Sequence, residues 1–162
     1  MAYKQVVKTL KSNPLHFKSL QKSYTDKTQL FKDKTVLANR IEVNKNRGND
    51  LAVIRDSIAL DALQVEEFKH YFLASVAVQL LSFEDKKIPL IIDEALLKLK
   101  MIDINSYKAK AYDVKEQQSS VANDLKSNYG AFEKSYKFYE NLLRYFKENV
   151  HLFKVEKPFL IF

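Results

Sequence analysis

The chain has 162 residues, 46% of them hydrophobic and 29% charged, with a net charge of +7 and neither cysteine nor tryptophan. That length is enough for one domain with a sizeable core, and the lack of cysteine excludes a disulfide framework, a thiolate nucleophile and cysteine-ligated zinc. The longest uncharged apolar run, Tyr71 to Phe83, has thirteen residues, short of the roughly 17–25 that cross a bilayer as a helix.

Helix breakers are rare. Pro14, Gly48, Pro89, Gly130 and Pro158 separate stretches of 33, 40, 40 and 27 residues that contain neither glycine nor proline. Most non-helical folds need glycine for turns with positive φ, and ordinary chains carry roughly 7% Gly and 5% Pro. The expected fold is therefore all-α: a four-helix-bundle-like domain with a short extra N-terminal helix and an apolar C-terminal tail. One domain spans 1–162, with a basic arm at 1–13, the bundle at 14–154 and a docking tail at 155–162.

Residues 1–25 hold five lysines, Lys4, Lys8, Lys11, Lys18 and Lys22, and no acidic residue before Asp26. A short helix over about 2–11 places Tyr3, Val6, Val7 and Leu10 on an apolar side. An acid-free, amphipathic, lysine-bearing start has the character of an organelle-targeting segment, although such segments are usually rich in arginine and the first arginine here is Arg40. Val6, Val7 and Leu10 are interrupted by lysines, so no secretory apolar core is present.

After Ser12-Asn13-Pro14, apolar residues at Phe17, Leu20, Tyr24, Phe31, Ala38 and Ile41 predict helix over 15–46, weakest in the polar stretch near Thr25-Asp26. Asn44 to Asp50, with Gly48 inside it, is the clearest turn, and Asn49 or Asp50 can cap the helix after it. That helix, about 51–84, carries the stripe Ile54, Ile58, Val65, Phe68, Phe72, Val76 and Phe83. Leu60, Leu63, Leu73, Val78, Leu80 and Leu81 make its other sides apolar as well, so it is either central to the bundle or covered by another subunit.

Beyond the turn 84–89, an amphipathic segment runs from Ile91 to Ile102, with fresh N-cap residues at 103–106. From Ile104, positions Tyr107, Ala111, Val114, Gln118, Val121 and Leu125 alternate by three and four, a thin coiled-coil-like seam. An aromatic run resumes at Phe132, Tyr136, Tyr139, Leu143, Phe146, Val150 and Phe153, out of phase by one residue. That offset predicts a helical hairpin at Gly130, one long helix with a local defect being the alternative. The tail ends in Phe159, Leu160, Ile161 and Phe162, four apolar side chains that gain from a cover, either their own bundle or a partner.

Two Glu-x-x-His motifs, Glu67/His70 and Glu148/His151, have the i, i+3 spacing that di-iron bundles use. Both fall away from the apolar stripes of their helices, which argues for exposed or interfacial residues and against a metal. Three histidines without close Ser–His–Asp spacing, and two glycines, support neither nucleophilic catalysis nor a phosphate loop. Lysines and tyrosines interleave over 107–115 and 134–147, as in nucleic-acid-binding surfaces, but Glu116, Glu133, Glu140 and Glu148 break the charge into mixed, solvated faces.

The expected role is that of a non-catalytic structural or accessory subunit of a larger assembly, without a cofactor, with a mitochondrial respiratory or ATP-synthase complex as the leading setting. The partner-binding residues are Lys4, Lys8 and Lys11, for acidic partners or lipid headgroups, and Phe159, Leu160, Ile161 and Phe162, for other protein subunits. The alternative is a basic helical nucleic-acid-binding or packaging protein.

Overall fold

Glycine and proline mark only some of the chain's turns. In a computed structural model, which describes residues 2–22, 29–113 and 120–156, the order is α1 (Ala2–Ser12), α2 (Pro14–Lys22), α3 (Gln29–Asn46), α4 (Asp50–Leu81), a 3₁₀ turn (Asp85–Lys87), α5 (Ile88–Lys100), α6 (Ile104–Tyr112), α7 (Ser120–Glu148) and a second 3₁₀ turn (Val150–Phe153). The fold is all-α, with no strand among the described residues.

The apolar helix α4 is the axis of the molecule. It touches α1, α2, α3, α5, α6 and α7, so its apolar sides are covered largely by its own chain. Ile58, Val65, Val76 and Ala77 are fully buried. Against α4 lies α7, whose stripe Ala122, Leu125, Tyr129, Phe132, Tyr136, Tyr139, Leu143 and Phe146 is buried throughout. Phe72 of α4 meets Tyr139 at 6.0 Å and Phe146 at 5.6 Å between ring centroids, and Phe153 from the second 3₁₀ turn closes on Phe146 at 4.8 Å. Buried tyrosines keep their hydroxyls bonded: Tyr136 donates to the Leu99 carbonyl at 3.3 Å and Tyr139 to the Phe68 carbonyl at 3.4 Å.

The hairpin expected at Gly130 is overturned, because α7 runs through it without a break. The residue that joins the two runs is Tyr129, 1% exposed. With Tyr129 and Ala122 in the stripe, spacings of three and four continue unbroken from 122 to 146, and the apparent phase slip disappears. Gly130 sits on the outer side, where an added Cβ would meet nothing within 4 Å; it lowers helix propensity without stopping the helix.

Other boundaries move as well. The helix expected over 15–46 is seen as α2 and α3, with 23–28 outside the described residues. Of the seam expected from Ile104 to Leu125, α6 stops at Tyr112 and α7 is described from Ser120, while Val114 and Gln118 lie outside the described residues. Asn49 occupies the cap position of α4, yet its side chain makes no capping hydrogen bond. Asp103 does cap α6, accepting from the Ser106 N–H at 3.0 Å. Helix α4 closes at Phe83, whose φ of 55° is the left-handed position usually taken by glycine. There the Glu84 N–H donates to the Gln79 carbonyl at 2.8 Å.

The basic arm is part of the fold. Val7 and Leu10 of α1 enter the core, 5% and 0% exposed, and Tyr3 packs on Phe138 and Tyr145 at 5.6 and 5.7 Å.

Candidate functional site

Helix α5 has two apolar sides. Ile88, Ile92, Ala95 and Leu99, spaced by four, three and four, are buried against the core. On the opposite side, Leu90, Leu97 and Met101 are 65%, 64% and 85% exposed. Spacings of seven and four put these three on one line along the helix, with exposed Glu94 between Leu90 and Leu97 on the same line and Met101 capping the C-terminal end. Pro89 in the first turn of α5 fits there because the missing N–H has no partner at that position anyway.

Beside this stripe runs a groove between α4 and α5. Its α4 wall is Glu67, Tyr71 and Ser75, its α5 wall Ile91, Glu94 and Lys98, and its volume is about 240 Å³. The Ser75 hydroxyl turns back onto the Tyr71 carbonyl at 2.9 Å. Lys98 and Phe68 also line a larger cleft of about 550 Å³ that continues toward α6. Asp61, Gln64, Met101, Tyr107 and Lys110 are among its lining residues.

The electrostatics of the two ends differ. Glu67 is held by Lys34 at 2.9 Å, and Asp93, on the outer side of α5, by Lys147 at 3.3 Å. At the α6 end, Lys98 and Lys110 form no ion pair among the described residues. Burial pushes the Asp61 carboxyl above its ordinary value, and the Tyr107 hydroxyl bonded to it offsets part of that rise. Tyr107 is pushed up in turn by burial and by Asp61. The pair makes a polar patch in a half-buried wall.

On the α4 side that faces α7, the Ser135 hydroxyl and Lys69 donate to Glu66 at 3.0 and 2.7 Å. Burial would raise the Glu66 carboxyl, but these donors and the nearby positive charge hold it below the usual range. His70, with Nε2 3.9 Å from Glu66, is pushed down by burial and by Lys69.

Of the residues singled out in the sequence, Lys4, Lys8 and Lys11 are exposed on α1, far along the chain from the α5 stripe. Phe159, Leu160, Ile161 and Phe162 lie outside the described residues. The Glu-x-x-His motifs are not brought together: Glu67 pairs with Lys34 and His70 lies by Glu66, while Glu148 and His151 are exposed near the end of α7. Among the described residues, no group of three or more His, Cys, Asp and Glu is placed to hold a metal. Sequence pattern alone does not single out Leu90, Leu97 and Met101. The available signal is the abundance of apolar residues in 88–101, more than one buried side of a helix can use.

A scan against protein-family models, a search of curated proteins and a search of solved structures find no match to this chain. No described helix is long and apolar enough to cross a membrane.

Proposed function

We propose that this protein is a non-catalytic accessory subunit that docks onto a partner protein along the outer side of α5. The observation that carries this reading is the line of Leu90, Leu97 and Met101, each more than half exposed on a helix whose other side is already anchored in the core. Covering a large apolar side chain contributes roughly 1.5–3 kcal/mol when burial is complete. Three aligned side chains flanking a groove suit an amphipathic helix of the partner, read by apolar anchors at helical spacing. Lys98 and Lys110, without ion pairs among the described residues, favour acidic residues on that helix at the α6 end. A mitochondrial respiratory or ATP-synthase assembly is the proposed setting, resting on the acid-free, lysine-bearing α1.

The test is purification from the native source, with and without nuclease, of the wild type and of a Leu90→Glu/Leu97→Glu variant. The expected result is a defined multi-subunit particle that survives nuclease and is lost in the variant, whose thermal unfolding stays unchanged because both side chains face solvent. Retention of the same partners by the folded variant would rule out α5 as the docking side. Collapse of the particle on nuclease treatment would favour nucleic-acid binding instead.

A further inference from the structure

We infer that the corner between α1 and α2 is a contact surface for an anionic lipid bilayer, a site separate from α5. Lys4, Lys8, Lys11 and Lys18 are all exposed, and none is in an ion pair among the described residues. Elsewhere some basic side chains find carboxylates, as Lys34 does with Glu67, Lys137 with Glu133, Arg144 with Glu140 and Lys147 with Asp93, while Lys98 and Lys110 do not among the described residues. The N-terminal lysines differ in lying in a stretch with no acidic residue before Asp26.

Their placement is ordered. Steps of four and three align Lys4, Lys8 and Lys11 along one side of α1, next to the edge through which Val7 and Leu10 enter the core. The single residue Asn13 separates α1 from α2, and just past it Leu15 is 58% exposed. Leu15 lies two residues before Phe17, which is 8% exposed, and therefore on the side of α2 facing away from the core. Lys18, one helical step from Leu15, shares that outward side. A leucine that is exposed and flanked along the sequence by Lys11 and Lys18, neither ion-paired among the described residues, has the chemistry of interfacial attachment: the ammonium groups reach anionic headgroups while the apolar side chain enters the acyl boundary.

The same two helices disfavour nucleic acid as the polyanion. Non-specific strands are held by aromatic stacking as well as charge, and here the rings are already engaged. Tyr3 packs on Phe138 and Tyr145, Phe17 is buried with His16 edge-on against it at 5.3 Å, and no arginine precedes Arg40.

The experiment is co-sedimentation of the full chain with vesicles of phosphatidylcholine alone or mixed with phosphatidylserine. Binding is expected to the mixed vesicles only, and to disappear at high salt. Each lysine near such a surface contributes about a fivefold change in partitioning, so Lys4→Gln/Lys8→Gln/Lys11→Gln is expected to weaken it by about a hundredfold. Leu15→Ser is expected to weaken it severalfold while leaving its salt dependence intact. All four positions are exposed, and unchanged circular dichroism checks that the variants fold. No binding to either vesicle, or equal binding to both, would overturn the inference. So would tighter binding to single-stranded RNA that the triple variant loses and Leu15→Ser keeps. Because Leu90 and Leu97 are untouched, partner capture by these variants separates this surface from the α5 reading.

Discussion

Arg40 of α3 reaches across to Asp56 of α4, with Nη2 3.0 Å from Oδ1, and Asp56 is 1% exposed. Arg55 holds the same carboxylate from its own helix at 3.1 Å and lies 3.8 Å from Asp124 of α7. A buried carboxylate is tolerated when it is paired and hydrogen-bonded, and here the pairing links α3, α4 and α7. The pairing matters most for α3, an 18-residue helix with no fully buried side chain. Two ion pairs, Arg40–Asp56 and Lys34–Glu67, join it to α4.

Removing Asp56 is therefore expected to cost more than removing either arginine alone. Asp56→Asn leaves Arg55, only 15% exposed, without its main countercharge, and a loss of roughly 3 kcal/mol is expected. Arg40→Ala, at a side chain 48% exposed, is expected to cost about 1 kcal/mol or less. Urea titration reads both. Hydrogen exchange is expected to show the amides of α3 opening before those of α4 and α7, and more readily in high salt, because exposed ion pairs are screened. Equal protection of the three helices would contradict this picture.

The two glycines are expected to respond in opposite directions. Gly130→Ala adds a Cβ to an open helical surface and is expected to stabilise the protein by about 0.5–1 kcal/mol. Gly48 has φ +71° in the turn between α3 and α4, where alanine is strained, and Gly48→Ala is expected to destabilise by roughly 1 kcal/mol. Thermal unfolding of the pair checks both signs.

Stability is expected to fall on both sides of neutral pH. Burial and Lys69 depress His70 below 6.5, so the unfolded chain takes up that proton first as pH drops. Its contribution is present above pH 6.5 and lost as pH falls through the folded-state value. Glu66, held below 4.5, adds a second loss below that pH. At the alkaline end burial raises Tyr139 well above 10.0, so its contribution is present below pH 10 and lost as pH rises beyond it. His70→Gln is expected to flatten the first limb and Tyr139→Phe the last, the latter costing at most about 1 kcal/mol at neutral pH for its long hydrogen bond. Melting temperature against pH measures the slopes.

The helical fold, the turn at Gly48, the N-cap region at 103–106 and the apolar character of α4 are all legible in the residues themselves. Each depends on local chemistry: φ restrictions, capping by short polar side chains, and apolar periodicity along one helix. Gly130 misleads because a glycine weighs as a break when Tyr129 is left out of the stripe. Which outcome prevails depends on whether the stripe on both sides faces one continuous partner, and α4 supplies it.

The α5 surface is hidden from the sequence for a related reason. Composition shows that 88–101 is rich in Leu and Ile, but it does not say which side a neighbour will use. Packing of Ile88, Ile92, Ala95 and Leu99 against the core selected one side and left Leu90, Leu97 and Met101 to solvent. Likewise, the acid-free start and its five lysines are properties of the sequence alone. Only the tertiary structure decided that Val7, Leu10 and Phe17 would be buried while Lys4, Lys8, Lys11, Leu15 and Lys18 face outward. Hydrophobic burial is non-directional and shared among many residues, so the sequence by itself determined helices and their apolar stripes, and the assembled core decided which stripes were used.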